Sequence, residues 1–219
     1  IHPLTVVASI GEAKYYSLQD AIDAAKDNET IKILADIDIA DAERQTLGGK
    51  YNTLFRVAEK TVTVNMNGQK IFGEYTGESM LVGVFSAEKN GHLTLTGEGT
   101  VDITAKDTVY GLLVNYESGS SITVENGTYT LDKASDSLAY TGGNEDLIVN
   151  GGTFTLGNVG TGANGSPWIF NAKGQNTAHV MVTGGTYNAE INHQYYPFEV
   201  DIPYTKALRD NKDGTWTIV

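Results

Sequence analysis

The sequence predicts an all-β fold, a solenoid of stacked parallel strands with a short helix at its N-terminal end. Three observations predict it: the composition, a strand pattern that repeats every 25 to 33 residues, and a second strand series in step with the first. Glycine supplies 25 of the 219 residues, as is typical of turn-rich β proteins. A repeat at this period indicates a solenoid, in which each coil buries the apolar face of its neighbour.

The first series consists of alternating strands that end in a glycine-containing bend. Its three strongest copies carry Gly127, Gly152 and Gly185 in the segments NGTY, GGTF and GGTY, and Gly68 and Gly99 mark two weaker copies. Glycine suits such a bend because it adopts positive φ and allows close backbone approach. We therefore expect each glycine to separate two strands of one coil.

The second series consists of short apolar strands, each 12 to 15 residues before a glycine marker. Two interior columns of side chains follow from the two series. One column comprises Val64, Leu95, Val124, Val149 and Val182, and the other comprises Phe55, Phe85, Val114, Tyr140 and Phe170. A β-sandwich of unrelated strands would not keep both spacings nearly constant. The prediction is a single-stranded parallel β-helix of about five to six coils, right-handed by the general chirality of parallel crossovers.

Both ends of the solenoid have segments that can cover open strand edges. Ser17 precedes an amphipathic stretch and predicts an N-capped helix of about nine residues, followed by a strand over Thr30–Ile39. Near the C-terminus, the turn sequence DNKDG at 210–214 predicts a closing hairpin. We expect a single domain over 1–219.

Within that domain, residues 1–40 form the N-terminal cap and first strand, 41–189 the repeat coils, and 190–219 the C-terminal cap segment. The chain begins at Ile1 instead of Met, which we interpret as a mature or excised form.

The charge of the chain excludes several classes of partner. With 27 acidic and 15 basic residues, its net charge of -12 argues against nucleic acid and anionic membrane surfaces as partners. No apolar run is long enough to insert into a membrane. The absence of cysteine excludes disulfides, thiolate metal sites and cysteine nucleophiles.

The opening IGEAKYYSLQDAIDAAKDNETIKILADIDI, the repeated GGTF/GGTY and the close NKDGTWTIV together resemble a known group. The chain is similar to secreted or cell-surface right-handed β-helix proteins of gut bacteria that share the pectate-lyase-like fold. The resemblance implies a bacterial extracellular or cell-surface location, and either a monomer or part of a larger surface protein. The segment 192–206 departs from the group's pattern, because a shorter link before the closing strand is expected.

An enzymatic function has few candidate residues. A uronate lyase needs a cation for the substrate carboxylate and a base of high pKa, yet Arg56 is the one arginine within a repeat strand. A hydrolase needs two or three converging aspartates, and the motifs associated with polygalacturonase-like proteins (NTD, DD, GHG and RIK) are absent. Whether the chain is an enzyme stays open, and the sparse residues favour a non-catalytic module.

Two groups of residues are candidates for binding. Glu59, Glu88 and Glu117 are spaced 29 residues apart, so they would stack as like charges that either splay into water beside lysines or hold calcium. Trp168, Tyr195 and Tyr196 either line a shallow contact surface for a glycan or a host or cell-surface protein, or pack over the last coils. No other cofactor is expected.

The expected function is therefore a non-catalytic extracellular or cell-surface module for adhesion, glycan contact or spacing. The alternative is a polysaccharide lyase or hydrolase that acts on acidic glycans.

Overall fold

A computed structural model describes residues 5–40, 51–77, 79–105, 109–117, 119–142, 146–163, 165–172, 179–191 and 200–219. Within these ranges lie one helix and 22 strands. In chain order they are β1 (Ala8–Ile10), β2 (Ala13–Tyr15), α1 (Leu18–Ala24), β3 (Glu29–Ile33), β4 (Ile37–Asp38), β5 (Thr53–Ala58), β6 (Thr61–Asn65), β7 (Lys70–Glu74), β8 (Leu81–Glu88), β9 (His92–Thr96), β10 (Thr100–Thr104), β11 (Val109–Asn115), β12 (Ser121–Val124), β13 (Thr128–Leu131), β14 (Ser137–Thr141), β15 (Asp146–Val149), β16 (Thr153–Leu156), β17 (Trp168–Ala172), β18 (His179–Val182), β19 (Thr186–Tyr187), β20 (Val200–Asp201), β21 (Leu208–Asp210) and β22 (Trp216–Ile218).

The strands form three sheets that surround one core. Sheet A has the order β2-β1-β3-β6-β9-β12-β15-β18-β20, sheet B the order β21-β22-β19-β16-β13-β10-β7-β4, and sheet C the order β17-β14-β11-β8-β5. Consecutive strands of a coil enter sheets A, B and C in turn, and each pairs in parallel with its equivalent in the next coil. The parallel β-solenoid is confirmed, with about 4 turns where five to six coils were expected.

The interior column predicted for sheet A is confirmed. The register pairs Val64 with Leu95, Leu95 with Val124, Val124 with Val149, and Val149 with Val182. All five side chains are fully buried. The sequence predicts this register well because the strands of sheet A alternate between buried and partly exposed residues, so a slip of one residue would turn the apolar side chains outward.

The interior column predicted for sheet C is wrong in two coils. Phe85 pairs with Leu113, Leu113 with Ala139, and Ala139 with Phe170, so Val114 and Tyr140 each lie one position past the column. The cause is burial on both faces: all but one residue of β11 and every residue of β14 are buried. A strand without a polar face gives no period-2 signal to fix its register.

The bends between sheets A and B contain the repeated glycines. Gly127, Gly152 and Gly185 have φ between 105° and 107°, and Gly99 lies in the same row because Thr100 pairs with Thr128. Lys70 pairs with Thr100, so Gln69 is the residue opposite Gly99. Gly68 lies one position before this row.

Three aromatic rings follow these glycines and stack in the core. Tyr129 and Phe154 have ring centroids 5.2 Å apart and planes 12° apart, and Phe154 and Tyr187 are 5.3 Å and 14° apart. The phenol groups do not stay unpaired, since the Tyr129 hydroxyl donates to the Asn126 carbonyl and the Tyr187 hydroxyl to the Gly184 carbonyl. The iterated GGTF/GGTY motif thus forms a structural ladder.

The N-terminal end differs in part from its prediction. Ser17 caps α1 by accepting a hydrogen bond from the Asp20 N–H, as predicted, although the helix has 7 residues. The predicted strand 30–39 is divided into β3 and β4. The hairpin of β1 and β2 was not predicted; β1 pairs antiparallel with β3 and so extends sheet A at this end.

The helix covers the free edge of sheet C. The Arg56 N–H donates to Gln19 Oε1 at 2.7 Å, and Gln19 Nε2 donates to the Arg56 carbonyl at 3.1 Å. This buried amide therefore replaces the strand that would otherwise pair with β5. Lys60 secures the other end of the helix, where its ammonium donates to the carbonyls of Ile22, Asp23 and Ala25.

The predicted C-terminal hairpin is confirmed. β21 and β22 pair antiparallel, and β22 pairs antiparallel with β19 at the end of sheet B. Among the described strands, antiparallel pairs occur only at the two ends of the solenoid. These end strands change direction and thereby limit further parallel stacking.

Candidate functional site

Trp168 is almost completely buried at the start of β17. It pairs with Ser137, its N–H donates to the Asp136 carbonyl, and only 6% of its surface is exposed. A ring with so little exposed area offers no broad face for stacking on a sugar, so its burial favours the packing interpretation. Tyr195 and Tyr196 lie outside the described residues, and their proposed role in binding stays a prediction.

The three predicted glutamates do not form one stack. In sheet C, Phe55 pairs with Phe85 and Phe85 with Leu113, so successive rows are 30 and then 28 residues apart. The constant spacing of 29 in the sequence averages these two values. Glu88 therefore pairs with Ala58, one row before Glu59.

Lys89 takes the position expected for the middle glutamate. The Glu59 N–H donates to the Lys89 carbonyl at 3.2 Å, and the Lys89 N–H donates to Glu117 Oε2 at 3.1 Å. The row is thus Glu–Lys–Glu, which relieves the repulsion that three stacked carboxylates would create. Within the described ranges, no three His, Asp or Glu side chains converge to hold a metal ion, and calcium binding by these glutamates stays a prediction.

A small groove lies at the turns that lead from sheet C to sheet A. It encloses about 420 Å³ and is lined by Asp27, Glu59, Lys60, Thr61, Lys89, Asn90 and His92. Several of its polar groups already serve the fold: the Thr61 N–H donates to Asp27, and the Lys60 ammonium binds the helix carbonyls. His92 Nδ1 is 2.8 Å from the Ser121 hydroxyl.

The most distinctive surface of the molecule is a group of four tyrosines on sheet C, which we call the tyrosine face. It comprises Tyr51, Tyr110, Tyr116 and Tyr140. The Tyr116 ring lies 4.8 Å from both the Tyr51 and Tyr140 rings, and the Tyr110 ring lies 5.3 Å from that of Tyr140. Tyr140 is buried, whereas the other three rings are partly exposed. The rings form one contiguous aromatic surface.

The tyrosine face lies on the side of sheet C that points away from the core. One row of this side consists of Arg56, Ser86, Val114, Tyr140 and Asn171. Gly83 and Gly111 lie next to Val114 of this row. A Cβ at either position would be within 3.3 Å of the Val114 side chain. Side chains in place of these glycines would force the backbone or Val114 to move.

Asp136 borders the tyrosine face. Its Oδ2 accepts hydrogen bonds from the Ser137 hydroxyl at 3.0 Å and from Asn171 Nδ2 at 2.9 Å. Ser137 and Asn171 are themselves buried, so they hold the carboxylate in a fixed position. Asp136 itself is partly exposed.

Burial and this carboxylate change the acidity of the phenols. Burial raises the pKa of Tyr116 to about 12, and the negative charge of Asp136 adds to the rise. The pKa of Tyr110 is raised further, first by burial, then by a hydrogen bond with Tyr116, and then by Asp136. Both phenols are therefore neutral hydrogen-bonding groups at physiological pH.

Comparisons with protein-family models, curated proteins and solved structures return no match for this chain. The parallel β-solenoid is therefore established by the strand register, and the resemblance to the pectate-lyase-like group stays an expectation. Among the described residues, no helix is both long and apolar enough to cross a bilayer.

Sequence reasoning missed the tyrosine face because its members come from separate coils. Tyr51 precedes β5 and Tyr116 follows β11, with β8 between these strands in the sheet. Their ring contact depends on how the off-core side of sheet C is shaped, and the sequence periodicity carries no information about that shape. One signal was present: Tyr110, Tyr116 and Tyr140 all fall in or next to the apolar strand series.

The same side of sheet C also carries a short polar chain. Thr53 Oγ1 and Ser86 Oγ are 3.0 Å apart, and the Ser86 hydroxyl donates to Glu88 Oε1 at 3.2 Å. Glu88 is 5% exposed, and Arg56 lies opposite Ser86 in the neighbouring strand. An arginine and a buried carboxyl group therefore lie on the same side of one sheet.

Proposed function

We propose that the chain is a non-catalytic module of an extracellular or cell-surface bacterial protein, and that it contacts glycans through the tyrosine face. The contiguous tyrosine rings, three of them partly exposed, carry this proposal. Aromatic rings stack on the apolar faces of pyranose rings, and nearby polar groups bind the sugar hydroxyls. Asp136 and the Tyr110 and Tyr116 hydroxyls would supply such polar groups.

The sheet beneath the rings supports this role. A binding surface built on regular strands is held more firmly than one built on loops, which lowers the entropic cost of binding. Parallel neighbours flank β11 and β14 on both sides, so the strands that position Tyr110 and Tyr140 cannot fray at an edge. Extended glycans also suit a solenoid, because its side is long and continuous.

A glycan-array screen of the purified chain tests the proposal. We expect binding that falls at least about fivefold in Tyr116→Ala, since one stacked ring contributes about 1–3 kcal/mol. Tyr204→Ala is the matched control because Tyr204 is 100% exposed and lies far along the chain in the C-terminal segment. Equal loss in both variants, or no binding by the unaltered chain, would contradict a glycan role for the tyrosine face.

The second candidate is a polysaccharide lyase or hydrolase that acts on acidic glycans. It is favoured by the placement of Arg56 and the buried Glu88 on one side of sheet C. Incubation with acidic polysaccharides, followed by measurement of reducing ends and of unsaturated uronate absorbance, tests this candidate. Activity that disappears in Glu88→Gln would support it, and no product from any acidic polysaccharide would eliminate it.

A further inference from the structure

Opposite charges lie at separate places on the off-core side of sheet C. Arg56 lies in β5, whereas Asp136 immediately precedes β14, three strands farther along the sheet. Strands are spaced about 4.8 Å apart, so roughly 14 Å separates these two positions along the stack. The arginine, moreover, is on the same side as Glu88, which offsets its charge. Asp136 therefore supplies a negative charge beside β14, away from Arg56.

The Asp136 carboxylate can accept a further hydrogen bond. Both hydrogen bonds that it accepts within the described part of the chain use Oδ2, from Ser137 and Asn171. Oδ1 has no donor among those same residues. A partly exposed carboxylate with one oxygen fixed by buried donors is preorganised for a cationic group, because a charge-assisted bond is about twice as strong as a neutral one.

The neighbouring rings favour the same kind of ligand group. A cation within about 6 Å of a tyrosine ring is attracted by the negative face of the ring. The register that pairs Leu113 with Ala139, and the hydrogen bond from the Ser135 N–H to the Val109 carbonyl, place Asp136 beside Tyr110. A cation bound at Asp136 would therefore lie next to the tyrosine rings. The net charge of -12 adds long-range attraction for cations.

We propose that the tyrosine face recognises glycans that carry free amino groups, with the ammonium of an amino sugar at Asp136 Oδ1 and its pyranose ring on Tyr110 and Tyr116. This inference rests on the proposed glycan function and specifies its ligand class. A neutral N-acetylated sugar would place an amide where the carboxylate offers a charge. The acetylated and free forms of one oligosaccharide therefore differ only in the group that would bind Asp136, which is a neutral amide in one and an ammonium in the other.

Isothermal titration calorimetry with glucosamine oligosaccharides and N-acetylglucosamine oligosaccharides of equal length tests the inference, at a pH where the amines are protonated. We expect the glucosamine oligomer to bind at least about tenfold more tightly, and its affinity to fall as salt is raised. Asp136→Asn should remove most of this preference, while it keeps acceptors for Ser137 and Asn171. Asp132→Asn, an exposed position four residues earlier, is the control.

The outcomes separate the two proposals. Equal, salt-independent binding of both oligomers would overturn the amino-sugar inference and leave glycan binding intact. If neither oligomer binds and the glycan array is also negative, both proposals fail. If Asp136→Asn does not fold, the salt dependence and the free-to-acetylated affinity ratio of the unaltered chain still decide the question. A preference that persists in a folded Asp136→Asn variant would overturn the assignment to Asp136.

Discussion

Gln19 offers the sharpest test of how the solenoid closes its N-terminal edge. Its side-chain amide forms two hydrogen bonds with the Arg56 backbone, at 2.7 Å and 3.1 Å, and a third with Asp23 Oδ1 at 2.7 Å. The residue is 2% exposed, so water does not compete for these groups. Gln19→Leu keeps the approximate volume and removes all three bonds. It leaves the Arg56 N–H and carbonyl without the partner that a neighbouring strand would otherwise provide.

The magnitude follows from the number of groups that lose their partner. A buried donor or acceptor without a partner costs about 1–3 kcal/mol, which gives about 2–6 kcal/mol for two. The Arg56 backbone lies at a sheet edge, where water can enter after local rearrangement, so we expect the lower part of this range, about 2–3 kcal/mol. For a chain of this length, that corresponds to a melting temperature lower by roughly 4–12 °C.

Thermal unfolding followed by circular dichroism measures the global effect, and hydrogen exchange of the Arg56 amide measures the local one. Because a solenoid is stabilised by contacts between neighbouring coils, the edge coil should lose protection before the centre does. Asp23→Ala is the control, since it removes only the bond from Gln19 to the exposed Asp23 and should change stability by less than about 0.5 kcal/mol. If Gln19→Leu has the same melting temperature as the unaltered chain and the Arg56 amide stays protected from exchange, Gln19 does not cover the β5 edge of sheet C in the way we describe.

Two further predictions concern the bends and the tyrosine face. Gly152→Ala should destabilise the chain by about 1–3 kcal/mol, because Gly152 has φ 105° and a Cβ there would lie 3.0 Å from the Gly127 carbonyl oxygen. Gly160→Ala, also at positive φ but with its nearest atom 3.8 Å away, should cost less in the same denaturant titration. Tyr116 has a pKa of about 12 in the folded chain, above the ordinary value of 10.0, so its stabilising contribution is complete below pH 10 and is lost as the pH rises toward 12. Unfolding free energies across that window should fall less steeply in Tyr116→Phe, and an identical slope would contradict the assignment.

The parts of the fold that could be predicted are those where local chemistry and periodicity agree. Ser17 predicts its helix because a serine before an apolar periodic stretch satisfies the first free N–H groups. The column through Val64 and Val182 is predictable because partly exposed residues, polar in the first three coils, alternate with it on the outward side of sheet A. The β1–β2 hairpin escaped prediction, because its strands have three residues each and too few alternating positions to give a pattern.

Coils of the solenoid differ in length, so a constant spacing in the sequence does not ensure that residues stack. The glutamates illustrate this, because rows 30 and 28 residues apart place Lys89, not Glu88, between Glu59 and Glu117. Such differences arise in turns and loops, where a residue can be added without disturbing the core. Registers across a solenoid therefore follow from the burial of each strand and not from an average period.

A binding surface is expected where equivalent positions in successive coils carry different side chains. Interior columns are apolar in every coil because they face the core, as Val64 to Val182 do in sheet A and Phe85 to Phe170 do in sheet C. On the outward side of sheet A, one row reads Thr63, Thr94, Thr123, Ile148 and Met181, which is uniform over its first three coils. The outward row of sheet C reads Arg56, Ser86, Val114, Tyr140 and Asn171, with a different chemistry in every coil. Strand stacking alone does not require that variety, which is consistent with the glycan-binding surface that we propose on sheet C.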